Sequence, residues 1–214
     1  MKTKKQGRPK SEEKYKLILH TASQLFLQTG FANTSMDAVA KASGVSKQTV
    51  YSHFESKDTL FKAAISSKCS MYQRDSMRLS NSTSHSLYDC LCQVGSQFIR
   101  LLQDPQSIAI FRVIIAEAVT NSHVATLFYQ AGPQASQATL SELIAQFGEG
   151  ALSAQIAHEL AVDFCSLLKS ELHTMMLCGI QSPMNDEEID EHVKRVVNKT
   201  LLLFSHFKSL GQNA

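Results

Sequence analysis

Residues 34–55 read TSMDAVAKASGVSKQTVYSHFE, and their spacing decides the fold. Thr34 and Asp37 stand in the S/T-x-x-D spacing of a near-capping box, which predicts a helix over about residues 35–42. Ser43-Gly44-Val45 then reads as a tight turn, and Ser46 as the N-cap of a short helix over about 47–53. Ala40 is small where two such helices approach most closely, and Gly44 supplies the turn four residues later. Val39, Val45 and Val50 are apolar where the pair must pack on itself and on a preceding helix. This is the layout of a helix-turn-helix, whose short second helix with polar residues at its start fits a DNA major groove. Spacing alone also allows a small helical corner inside any all-α protein.

Upstream, a helix is predicted over about 11–28, with Ser11 as cap and Glu12 and Glu13 in its first turn. Ile18, Ala22, Leu25 and Phe26 form its apolar face, and Gly30 ends it. Residues 1–10, MKTKKQGRPK, carry five positive charges and no negative one, so a disordered basic arm is expected there. Such an arm is either a solvated tail or a DNA-tracking element, with Arg8 placed to enter a narrow minor groove. Domain organisation follows: arm 1–10, helix-turn-helix domain 11–55, helical body 56–214, with a connecting helix over about 56–78.

Downstream, apolar residues recur at steps of three and four. Leu87, Leu91, Val94, Phe98 and Leu101 mark one helix. Asp104-Pro105 opens another to about residue 118. A third covers about 124–147 with a break at Gly132-Pro133, and Ser153 opens a fourth to about residue 178. The last runs over about 186–210 with Ile189, Val193, Val196, Thr200, Leu203, Phe207 and Leu210 on one stripe. No strand-like alternation persists, so the class is all-α, a helix-turn-helix domain plus a helical bundle.

Composition agrees. Hydrophobic residues make up 43% of 214, enough for a real core. The formal charge of +2 is unevenly spread: residues 1–60 hold ten Lys/Arg and five Asp/Glu, the rest eleven and fourteen. A basic head on a mildly acidic body suits a head that meets a polyanion. No apolar run is long enough for a membrane span, and no apolar segment follows the basic start as a secretion signal would require. Five cysteines, an odd number, suggest reduced thiols and a cytoplasmic setting.

The run Gly30-Phe31, Thr34-Ser35-Met36, Val39-Ala40, Ala42 to Lys47, Thr49-Val50-Tyr51, His53-Phe54, Lys57-Asp58 and Leu60-Phe61 resembles the N-terminal domain of TetR/AcrR-family regulators over about fifty residues. Phe111 to Ala118 and Phe128 to Pro133 are similar to the C-terminal domain of an AcrR/AefR-like subgroup, departing from its usual pattern at Val119 to Val124. The resemblance implies a sequence-specific transcriptional regulator bound to the nucleoid, a homodimer through its last two helices on a palindromic double-stranded operator. It implies a repressor released by a small hydrophobic or amphipathic effector. A global or architectural DNA-binding regulator without an effector is the alternative.

Roles carry over by position. Thr34, Tyr51, His53 and Lys57 would reach phosphates. Ser46, Lys47, Gln48 and Thr49 would open the recognition helix, with Lys47 and Gln48 toward base edges. Many relatives carry Gly where Gln48 stands. Phe98, Arg112, Glu117, His123, Phe128 and Phe164 are candidate effector-pocket residues. For Arg112 and Glu117 an internal ion pair or a cap on a neighbouring helix is the alternative. No cofactor, metal site or catalytic constellation is expected: His123, His158 and His173 lack ligand spacing, and Cys90 and Cys92 do not face each other on a helix.

Overall fold

Helix N-caps written into the sequence set most of the architecture. A computed structural model describes residues 9–73 and 86–212, and among these no strand occurs. The helices are α1 (Pro9–Asn33), α2 (Met36–Ser43), α3 (Lys47–His53), α4 (Lys57–Gln73), α5 (Leu87–Gln103), α6 (Pro105–Ala118), α7 (Ser122–Tyr129), α8 (Ala135–Gly148), α9 (Ala154–Leu177) and α10 (Asp186–Gln212). The basic arm up to residue 8, Arg8 with it, and residues 74–78 of the expected connecting helix lie outside the described residues. No described helix is long and apolar enough to cross a membrane.

Two compact units result. The first gathers residues up to Ser67 together with Arg112–Ala131; the second gathers Lys68–Phe111 and Gly132–Ala214. Sequence reasoning placed a boundary near residue 55, and nothing local in residues 112–131 marks them as partners of the helix-turn-helix.

In the first unit, α1 starts at Pro9, where a missing N–H costs nothing, two residues before the expected cap Ser11. Its buried face carries Ile18, Leu19, Ala22 and Phe26. Phe26, Phe31 and Phe61 meet with ring centroids 5.1 to 6.0 Å apart. Each such burial is worth about 1.5–3 kcal/mol. At Gly30 the backbone takes φ 80, ψ 173, a region open essentially to glycine alone, and the helical path kinks there.

In the second unit, Leu91 and Ile99 of α5, Ile144 of α8, Leu160, Phe164 and Leu168 of α9, and Ile189, Val193 and Val197 of α10 form one core. Gly95 permits the close approach: a Cβ there would lie 2.9 Å from Val193 and 3.3 Å from Phe164. Ser86 and Asp89 make a reciprocal capping box on α5, and Asp104 accepts from the backbone N–H of Gln106 and Ser107 at the start of α6. At the expected Gly132-Pro133 break, a π-helical turn over Gln130–Gln134 carries Pro133. Helix α9 is interrupted at Ser170 (φ 43, ψ −160), which periodicity did not foreshadow. The first four residues of the α10 stripe are buried within the chain, whereas Leu203 and Leu210 further along it, and Leu202 beside it, are exposed.

Candidate nucleic-acid interface

The turn between α2 and α3 is fixed by three local devices. Ser35, not Thr34, caps α2, its Oγ accepting from Ala38 N at 3.1 Å. Gly44 ends α2 in the left-handed conformation (φ 68, ψ 17), its N–H donating to Lys41 O. Ser46 caps α3, its Oγ accepting from Thr49 N at 3.2 Å and sharing a hydrogen bond with Thr49 Oγ1 at 2.8 Å. The S/T-x-x-D spacing had put the cap one residue earlier, at Thr34. Thr34 is drawn inside instead: it is 2% exposed and its hydroxyl donates to Gly30 O at 2.7 Å.

Helix α3 divides cleanly. Val50 (0% exposed) and the following Phe54 anchor it, while Lys47, Gln48, Tyr51 and Ser52 form one exposed face, with Tyr51 45% accessible. Positions i, i+1, i+4 and i+5 share a side of a helix, so this face presents an ammonium, an amide and a phenol together. Lys47 Nζ forms an ion pair with Asp37 at 2.8 Å and lies 6.0 Å from the Tyr51 ring. The hydrogen bond and charge of Asp37 raise the Lys47 pKa, so the side chain stays cationic. Both partners are solvent-exposed, so the pair exchanges readily for another anion. His53 is half-buried, its ring edge-on to Tyr15 at 6.0 Å.

Lys57 is held inside the unit. Its Nζ donates to Phe31 O at 2.7 Å and Ala32 O at 3.3 Å, and sits 4.3 Å from the Phe31 ring centroid. The N–H groups of the same two residues donate to the Glu117 carboxylate at 2.7 and 3.1 Å. The kink at Gly30 is thus clamped from both sides, cation on the carbonyls and anion on the amides. Sequence reasoning weighed a pocket role for Glu117 against an internal ion pair or a cap on a neighbouring helix; its carboxylate accepts from two backbone N–H groups near the end of α1.

The other candidate pocket residues divide between the units. Phe164 is fully buried in the core of the second unit, with Phe98 partly buried against it. In the first unit, Arg112 is exposed, Phe128 is half-buried, and His123 Nε2 meets Asp58 Oδ2 at 2.7 Å. Burial raises the thiol pKa values of Cys90 and Cys165, the latter to about 11, which makes Cys165 a poor nucleophile.

Comparison with known proteins bears on most of the chain. The sequence model of bacterial regulatory proteins of the tetR family matches residues 18–64, and that of the AefR-like transcriptional repressor C-terminal domain matches 89–204. A solved structure of a flavonoid-responsive regulator, FrrA, is 30% identical, with a TM-score of 0.69, and the match covers 89% of this chain and 96% of that one. A TetR family transcriptional regulator from Pseudomonas syringae pv. tomato str. DC3000 is 26% identical at TM-score 0.58, over 88% and 95%. YerO of Bacillus subtilis (strain 168), an uncharacterized HTH-type transcriptional regulator, is 26% identical over 189 residues. That match takes in 85% of this chain but 62% of YerO, so the chain spans less than two thirds of this curated relative's length.

Proposed function

The chain belongs to the TetR family of bacterial regulatory proteins, and we propose that it is a homodimeric repressor released from a palindromic operator by a small-molecule effector. Members of this family regulate transcription and are not enzymes. The observation that carries the proposal is the exposed Lys47-Gln48-Tyr51 face of α3, backed by the buried Val50 and Phe54. An ammonium donates to guanine O6 and N7, a glutamine amide pairs with adenine N6 and N7, and a phenol reaches a phosphate. Ser46 and Thr49 order the first turn, whose backbone N–H groups add to phosphate binding. Thr34 and Lys57 act one step back, by holding the backbone at residues 30–32 from which α2 departs.

The exposed Leu202, Leu203 and Leu210 of α10 support self-association through the last helices, because apolar side chains in one stretch lose little on meeting a copy of themselves. A dimer sets two recognition helices about 34 Å apart, one turn of the duplex. The name of the relative FrrA supports a response to a small organic molecule. Such a ligand acts by favouring a conformation in which the two α3 helices no longer span both half-sites.

Selection of bound duplex from a random pool at near-physiological salt tests this reading. A palindrome with two half-sites is expected, and its complex should dissociate on addition of the effector. No enriched sequence, with binding that disappears as salt rises, would refute sequence-specific recognition. A palindrome bound tightly whatever compound is added would instead favour the regulator without an effector.

A further inference from the structure

Buried polar side chains normally find partners, so those without one point to something that binds there. Among the described residues, buried side-chain atoms lacking a hydrogen bond are Gln97 Oε1, Ser107 Oγ and both ring nitrogens of His173, all in the second unit. His173 on α9 is 7% exposed and Ser107 on α6 is 4% exposed. Phe111 links the two, standing one helical turn after Ser107 on the same side of α6. The Phe111 ring meets the His173 ring edge to face, centroids 4.9 Å apart at 77°.

A second observation falls on the same stretch. Ser170, three residues before His173, holds φ 43 and ψ −160 inside α9. Backbone strain of that kind in a non-glycine residue costs about 1–3 kcal/mol and gathers at ligand clamps and switch regions. The turn that carries His173 is therefore set apart from the regular helix before it.

We propose that His173 and Ser107 are the polar anchor of the effector site, and that they take an uncharged aromatic molecule bearing a hydroxyl group. This rests on the reading of the chain as an effector-responsive regulator. A neutral imidazole offers one donor and one acceptor, and Ser107 offers both, so a hydroxyl on the ligand can give and receive in the same place. Burial, aided by the charge of Lys169, lowers the His173 pKa to about 4, so near neutrality the ring brings no charge to attract an anion. Lys169, one turn before it, disfavours a cation. The aromatic body suits the face and edge offered by Phe111 and His173.

The test uses full-length protein with 15N-labelled histidine and three probes of one shape: 2-naphthol, 2-naphthoate and 2-naphthylmethylammonium. The His173 ring signals are identified by their loss in His173→Phe. Expected is a shift of those signals with 2-naphthol only, and a dissociation constant weakened about tenfold by Ser107→Ala, the loss of one neutral hydrogen bond. Ser107→Ala keeps the test valid should His173→Phe fail to fold. Unmoved ring signals with 2-naphthol, or equal or tighter binding of either charged probe, would overturn the proposal. Release of operator DNA by another compound, equal in parent and both variants, would also overturn it while leaving the effector-responsive reading intact.

Discussion

Replacing Gly30 by alanine tests the clamp at the base of the helix-turn-helix. The backbone at φ 80, ψ 173 costs a residue with a Cβ about 1–3 kcal/mol. The new Cβ would also fall within the carboxyl group of Glu117, so that group must leave the N–H groups of Phe31 and Ala32. Hydrogen bonds to a charged acceptor are worth about 1.5–3 kcal/mol each when shielded, and partial exposure brings the two together to about 2 kcal/mol. Gly30→Ala should therefore cost about 3–5 kcal/mol, and Glu117→Ala about 2 kcal/mol. The two share the carboxylate contribution, so the double variant should fall short of their sum by about 2 kcal/mol. Hydrogen exchange of the Val39 amide, which donates to the O of the N-cap Ser35 at the start of α2, reads the opening of the first unit. The coupling should appear there as roughly a 30-fold discrepancy in exchange rate. Strict additivity, or no change on Glu117→Ala, would refute the clamp.

Lys57→Ala should accelerate Val39 exchange as well as weaken DNA binding, since its ammonium holds the Phe31 and Ala32 carbonyls; a change in salt slope with unaltered exchange would return it to a direct phosphate contact. Between pH 6.5 and about 4 the unfolded chain takes up a proton that buried His173 refuses, so stability should fall as pH drops through that window. His173→Phe should reduce the fall, seen as a flatter urea midpoint against pH; an identical slope in the variant would show that the ring is protonated in the folded state. Leu202→Asp, at a side chain 74% exposed, should leave helix content unchanged and shift sedimentation toward monomer; an unchanged sedimentation coefficient would move the dimer interface elsewhere.

Local signals read well from the sequence because local chemistry decides them. Gly44 and Ser46 sit where a left-handed turn and a cap are needed, and Asp104-Pro105 opens α6 as a carboxylate followed by a proline should. That Ser35 rather than Thr34 caps α2 was not legible. It depends on Gly30 O, whose position follows from a kink that propensity does not specify. Glu117 lies 86 residues from Phe31, and no periodicity links an anion on one helix to two amides beside another. The stripe on α10 showed which residues are apolar but not whether a neighbouring helix or a second copy covers them. His173 looked ordinary in sequence, since its lack of partners and the break at Ser170 arise only from packing.

The most direct test of DNA reading by α3 is to select duplexes from one random pool with the parent protein, Lys47→Ala and Gln48→Ala in parallel. Each variant should keep the palindrome and its spacing but lose base preference at one position per half-site, with about 10- to 100-fold less discrimination there. Identical preference at every position in parent and both variants would contradict base reading by this face of α3.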